Sequence, residues 1–140
     1  MIGSEISEPI VLCLEGQMLV DSNLIIYATQ PPYAQLRSWF VSYATHYSVV
    51  SRLETLGYHQ LKDAERNAIA AVLDNLTQVM LTQATFDIAI TLRQRRKMSL
   101  GDVLIAATCL ENDLPLATAN TKDFDWIDEL MIHNPMELQE

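Results

Sequence analysis

The sequence predicts an α/β domain, a central mainly parallel sheet of four to five strands with helices on both faces. Two observations carry that prediction. Short apolar runs alternate along the chain with longer segments whose apolar residues recur at helical spacing. The length of 140 residues, 49% hydrophobic and 19% charged, also suits one globular core.

The first strand is MLVD (18–21), and a helix follows over SNLIIYAT (22–29). Pro31 and Pro32 break that helix, and Pro32 opens the next, YAQLRSWFVSYA, with Leu36, Trp39, Phe40 and Tyr43 on one face. This aromatic stripe suits a core or a dimer contact better than a base-stacking platform. YSVV (47–50) reads as the second strand because Val-Val is β-branched and the run is short. SRLETLGYHQ (51–60) and DAERNAIAAVLDNL (63–76) are helical, the latter with Ile69, Val72, Leu73 and Leu76 in register. QVML (78–81) is the third strand, and helices follow over QATFDIAITLRQRR (83–96) and SLGDVLIAATCLEND (99–113). PLATA (115–119) is the fourth strand, TKDFDWID a short helix and LMIH (130–133) the last strand. The expected organisation is an extension of unknown role over 1–17, one domain over 18–134 and a tail over 135–140.

Composition removes several functions. The apolar runs AIAAVL (68–73) and VLIAATCL (103–110) fall far short of the roughly 20 residues that span a bilayer. No Lys or Arg precedes Arg37, so the basic start of a secretory signal is missing, and the two cysteines, Cys13 and Cys109, suit a reducing cytoplasm. Cys109 sits in an apolar helical pattern and reads as a small core residue. The four glycines stand alone, leaving no Gly-rich phosphate loop, and His46, His59 and His133 have no zinc-site spacing. The net charge of −9 repels nucleic acid at long range, so any nucleic-acid role rests on a local feature.

Carboxylates are the abundant chemical groups, and four fall where the chain leaves a strand. Asp21 closes the first strand, Glu54 lies in the first turn of the helix after the second, Asp102 begins the helix at 99–113, and Asp123 follows the fourth strand. In open parallel sheets, ligands bind beyond the carboxyl ends of the strands. Each acid also has an ordinary explanation. Asp21-Ser22-Asn23 is an N-cap cluster, Ser51-Arg-Leu-Glu54 a capping box, Ser99-Leu-Gly-Asp102 a similar pattern, and Asp123 a favourable charge on a helix dipole. Capping does not explain why all four fall at one edge of the sheet.

LVDSNLIIYA, SRLETLG and LGDVLIAATCLENDLPLATANTKDF, in that order, resemble the PIN-domain family, and especially its VapC-type toxins. The resemblance runs over about 18–134 and is most specific in its last part: an Asp opening a helix, Ile-Ala-Ala, a strand, then T-x-N-x-x-D-F. It implies a PIN-like three-layer α/β/α fold in which Asp21, Glu54, Asp102 and Asp123 hold the catalytic metal. Asn120 stands where the family carries Asp or Asn, and Ser22, Asn23 and Thr118 match its polar supporting positions. The resemblance further implies RNA as substrate, a homodimer, and a cognate antitoxin whose basic arm occupies the acidic site. A non-catalytic interaction module on the same fold, binding a protein or RNA partner, is the alternative.

The chemistry suits the residues. Two carboxylates ~5 Å apart repel by roughly 3 kcal/mol at an effective dielectric of ~20. Four together call for a cation, and oxygen ligands without His or Cys select Mg²⁺ or Mn²⁺. Such an ion serves phosphodiester hydrolysis by activating water and neutralising the leaving oxygen. Arg93, Arg95, Arg96 and Lys97 hold four of the nine basic residues. They read equally as complements to a helix C-terminus or, for Arg95, Arg96 and Lys97, as contacts to RNA phosphates.

Overall fold

A computed structural model describes residues 16–138. Strand β1 (Leu19–Val20) leads into α1 (Ser22–Ala28), a 3₁₀ turn (Pro31–Tyr33) and α2 (Ala34–Tyr43). Then come β2 (His46–Ser48), α3 (Val49–Leu56), α4 (Asp63–Asp74), β3 (Thr77–Val79), α5 (Gln83–Arg95) and α6 (Leu100–Asn112). The chain closes with β4 (Leu116–Ala117), a 3₁₀ turn (Thr121–Asp123), β5 (Ile132–His133) and a 3₁₀ turn (Pro135–Leu138). The sheet has five strands in the order β3-β2-β1-β4-β5, and every pairing is parallel.

Strand alternation divides the core in two. Leu19 and Leu116 face a cluster with Ala89 and Leu92 of α5 and Val103, Ile105 and Ala106 of α6. Met18, Val20 and Ala117 face the other cluster, with Leu24 and Ile25 of α1, Leu36, Trp39 and Phe40 of α2, and Ile69 and Leu73 of α4. The three-layer α/β/α arrangement follows directly. Of the aromatic stripe on α2, Trp39 and Phe40 are core while Tyr43 is exposed. Cys109 is fully buried in the first cluster.

The second strand differs from its expected span. It ends at Ser48, whose hydroxyl accepts from the Val50 amide at 3.1 Å and caps α3. Val49 and Val50 therefore begin a helix: a satisfied N-cap outweighs the β preference of a Val pair. Ser51-Arg-Leu-Glu54 is consequently no capping box, and Glu54 lies in the second turn of α3. The expected helix over TKDFDWID is reduced to the Thr121–Asp123 turn.

At the end of α6, Asp113 takes a left-handed conformation (φ 54°) and turns the chain into β4. Met136, in the closing turn, packs on the α1, α2 and α4 face. Of the extension expected over 1–17, residues 1–15, with Cys13 among them, lie outside the described residues. No described helix is long and apolar enough to cross a membrane.

Candidate active site

The strand order 3-2-1-4-5 reverses direction between β1 and β4, so a crevice opens beyond their carboxyl ends. Asp21 follows β1 and Thr118 follows β4, so both stand at that crevice. Asp21 is only 4% exposed. Its backbone amide joins the Ala117 carbonyl at 2.9 Å, fixing the residue between the two strands. One carboxylate oxygen accepts from the Ser22 amide and the other from the Thr118 hydroxyl, each at 2.7 Å. Thr118 in turn accepts from the Asn120 amide at 3.0 Å. Asp21 is therefore both the N-cap of α1 and the most constrained acid of the site.

Ser22 reaches across to α3. Its single hydroxyl proton has two acceptors within range, Ser51 Oγ at 2.8 Å and Glu54 Oε1 at 2.7 Å. Ser51 is fully buried. The other Glu54 oxygen lies against the N-terminus of α6, where a Cβ on Gly101 would come within 2.2 Å of it. Only glycine leaves room for the carboxylate there. Asp102 follows in the first turn of α6, its amide donating to the Ser99 hydroxyl at 3.1 Å. Asp123 arrives on the turn after β4.

Electrostatics ties the four acids together. Burial lifts the Asp21 pKa from 3.8 to about 6; the bonds from Thr118 and the Ser22 amide oppose the rise, and the charges of Asp102 and Glu54 add to it. Burial also raises Asp102, opposed by the Ser99 bond and reinforced by Asp123 and Glu54. The Cys109 thiol behind Asp21 is pushed up by burial first and by the Asp21 charge second. Among the described residues no three Asp, Glu, His or Cys side chains lie close enough to ligate one ion as they stand. The acids form a neighbourhood, not a closed ligand shell.

The supporting positions differ in what they touch. Ser22 and Thr118 bind the carboxylates directly. Asn120 takes part through its backbone, and Asn23 makes no side-chain hydrogen bond among the described residues. Arg95 pairs with Glu129 at 3.3 Å, while Arg96 and Lys97 line a cavity of about 530 Å³ beside Asp102 and Asp123. Gly101 and Ser51 were not legible as site residues. A glycine in the first turn of a helix is a faint signal, and Ser51 reads in the sequence as the start of a capping box.

The fold and the comparisons agree. A family model described as the PIN domain matches residues 18–130. The chain is 33% identical over 122 residues to Ribonuclease VapC10 of Mycobacterium tuberculosis, an alignment covering 81% of this chain and 90% of that protein. VapBC2 from Rickettsia felis, solved bound to a DNA fragment from its promoter, shares the fold with a TM-score of 0.71 at 19% identity, over 84% of this chain and 98% of that one. DNA-bound VapBC from Salmonella typhimurium gives 0.71 at 17% identity, over 85% and 98%. A parallel sheet that gathers acidic strand ends, a family match over most of the chain and a relative at this identity lead to one conclusion: the chain belongs to the PIN-domain family, among its VapC-type members.

Proposed function

We propose that the chain is a divalent-metal-dependent endoribonuclease that hydrolyses RNA phosphodiester bonds, and that it is the toxin of a toxin–antitoxin pair. One observation carries the reading most: a buried Asp21 pinned at the crevice between β1 and β4, with Glu54, Asp102 and Asp123 at the same end of the sheet. A carboxylate lifted to about 6 by burial and like charges is poorly satisfied by capping alone. The donor set is hard oxygen throughout and fits Mg²⁺ or Mn²⁺ held by these four side chains. When bound, the ion supplies an activated water and charge neutralisation at the leaving oxygen.

The chain's own groups do the rest. Thr118 and the Ser22 amide orient Asp21, and Ser22 orients Glu54. The basic residues beside Asp102, Arg96 and Lys97 among them, offset the acidic charge that RNA would otherwise meet there. The name of the VapC10 relative supports RNA as substrate, and the solved toxin–antitoxin complex from Klebsiella pneumoniae supports an antitoxin partner. An acidic crevice suits a partner that offers a basic arm. A homodimer is supported by Leu53, Ile90 and Leu100, exposed at 74%, 56% and 64% on α3, α5 and α6, where α6 packs against both other helices.

Cleavage of a mixed-sequence RNA pool with Mg²⁺, with EDTA, and by the Asp21→Asn and Asp102→Asn chains tests the reading. Metal-dependent cleavage lost in both folded variants is expected. Cleavage that persists in EDTA overturns it. A chain that binds RNA or protein yet cuts nothing decides for the interaction module.

A further inference from the structure

The ground beyond Asp102 is basic, and not by accident of one helix end. A cavity of about 530 Å³ is lined by the carboxylates Asp102 and Asp123 together with Arg93, Arg96, Lys97 and Lys122. Four of the nine basic residues of a chain with net charge −9 thus meet in one place. Among the described residues, ion pairs join only Arg66 to Asp63 and Arg95 to Glu129, so none of these four cations forms a close ion pair. The dipole of α5 accounts for cations in its last turn, Arg93 and Arg95. It does not account for Lys122, which arrives from the turn after β4.

Trp126 sits at the same cavity, half-buried against the core of α5 and α6. The guanidinium carbons of Arg95 and Arg96 lie 5.3 Å and 5.6 Å from its ring centroid, within cation–π range. The two arginines have different fates. Arg95 is committed to Glu129. Arg96 rests on the indole with its hydrogen-bonding fork unspent, pre-set for a phosphate.

We propose that this cavity is the subsite for the RNA phosphate next to the scissile bond, with Arg96 and Lys122 as its substrate-binding residues and Trp126 as the positioning residue that holds Arg96 there. The inference rests on the ribonuclease reading and deepens it. A polyanion crossing the carboxylates must continue past them, and every neighbouring phosphate carries a charge. The wall formed by Arg96 and Lys122 receives that charge where the remainder of the acidic site repels it. Arg95, paired with Glu129, touches no substrate.

The test is binding of a fluorescein-labelled single-stranded RNA pool of randomised sequence to the full chain carrying Asp21→Asn, which stops cleavage without altering the cavity lining. Affinity is followed against salt, and each variant is melted as a check on folding. Arg96→Ala and Lys122→Ala are each expected to weaken binding about fivefold near ~0.1 M salt and to flatten the salt slope by about 0.7, the loss of one single-strand phosphate contact. Trp126→Leu is expected to match Arg96→Ala and to add nothing to it in the double variant, while Trp126→Phe keeps a ring and most of the affinity. Arg95→Ala is expected to leave the slope unchanged. RNA bound with a parental slope by Lys122→Ala and Arg96→Ala overturns the subsite. A slope that drops equally with Arg95→Ala reduces it to diffuse attraction and overturns it too. Both substitutions are on exposed residues, so the test stands even if Trp126→Leu fails to fold. If the parental chain binds no RNA, the ribonuclease reading itself falls and takes this inference with it.

Discussion

At the scale of single residues, Asp21 does two jobs that conflict. It caps α1 and ties β1 to β4 through Thr118, yet its burial makes its charge costly. Its folded pKa of about 6 lies above the ordinary 3.8, so the native chain holds that proton more tightly than the unfolded chain. The proton's contribution to stability is fully present below 3.8 and is lost as pH rises through about 6. Two pH units correspond to about 3 kcal/mol. Asp21→Asn keeps an acceptor for the Ser22 amide and removes the charge. In metal-free urea unfolding it should be more stable than the parent at pH 7, by up to about 3 kcal/mol, with the advantage gone near pH 4. A variant less stable than the parent at pH 7 would mean that the cap role outweighs the buried charge.

Gly101 gives a second residue-scale prediction. Alanine there improves helix propensity by roughly 0.5–1 kcal/mol. Its Cβ, however, meets Glu54 Oε2 at 2.2 Å, and the carboxylate, at the end of a flexible side chain, must swing aside. Gly101→Ala should therefore melt at or above the parental temperature while Mn²⁺ affinity falls by roughly tenfold, about 1.4 kcal/mol. Unchanged Mn²⁺ affinity in calorimetric titration would show that the Glu54 position does not matter to the site.

At the scale of elements, much was legible because the period of the apolar residues differs between strands and helices. Ile69 and Leu73 mark α4 and Leu19 and Val20 mark β1 in the sequence as in the fold. The start of α3 was not legible from propensity. Val49 and Val50 favour a strand, and only the Ser48 cap, itself fully buried, shows that the helix begins there. Ser48→Ala should cost about 1 kcal/mol in urea unfolding, the usual worth of an N-cap. No loss would remove the cap from this explanation. The site shows the same division. Strand-end positions put the four acids in view, since position after a strand is a local property. Ser51, Gly101, Lys122 and Trp126 join the site through packing between α1, α3, α6 and the turn after β4, which no local pattern encodes. The basic run at 93–97 is visible in the sequence, but its division between Arg95, paired with Glu129, and Arg96, resting on Trp126 beside Asp102 with no ion pair, is a tertiary fact.

At the scale of the whole molecule, a five-stranded parallel sheet brings acids from residues 21 to 123 to one end, in a chain already carrying −9. On the proposed reading, such a concentration weakens the metal-free protein and prepares it for a cation. Asp102 tests that balance best. It is raised by burial and by two neighbouring acids, and it is also a favourable first-turn charge on α6. The most direct measurement is a set of melting curves of the parent and Asp102→Asn in EDTA and in millimolar Mg²⁺. An ion bound only by the native state adds RT ln(1 + [L]/Kd), which raises the parent's melting temperature by several degrees once the ion is about tenfold above Kd. A shared metal site predicts that Asp102→Asn melts higher than the parent in EDTA and gains little from Mg²⁺. A variant that melts lower in EDTA and gains as much from Mg²⁺ as the parent contradicts it.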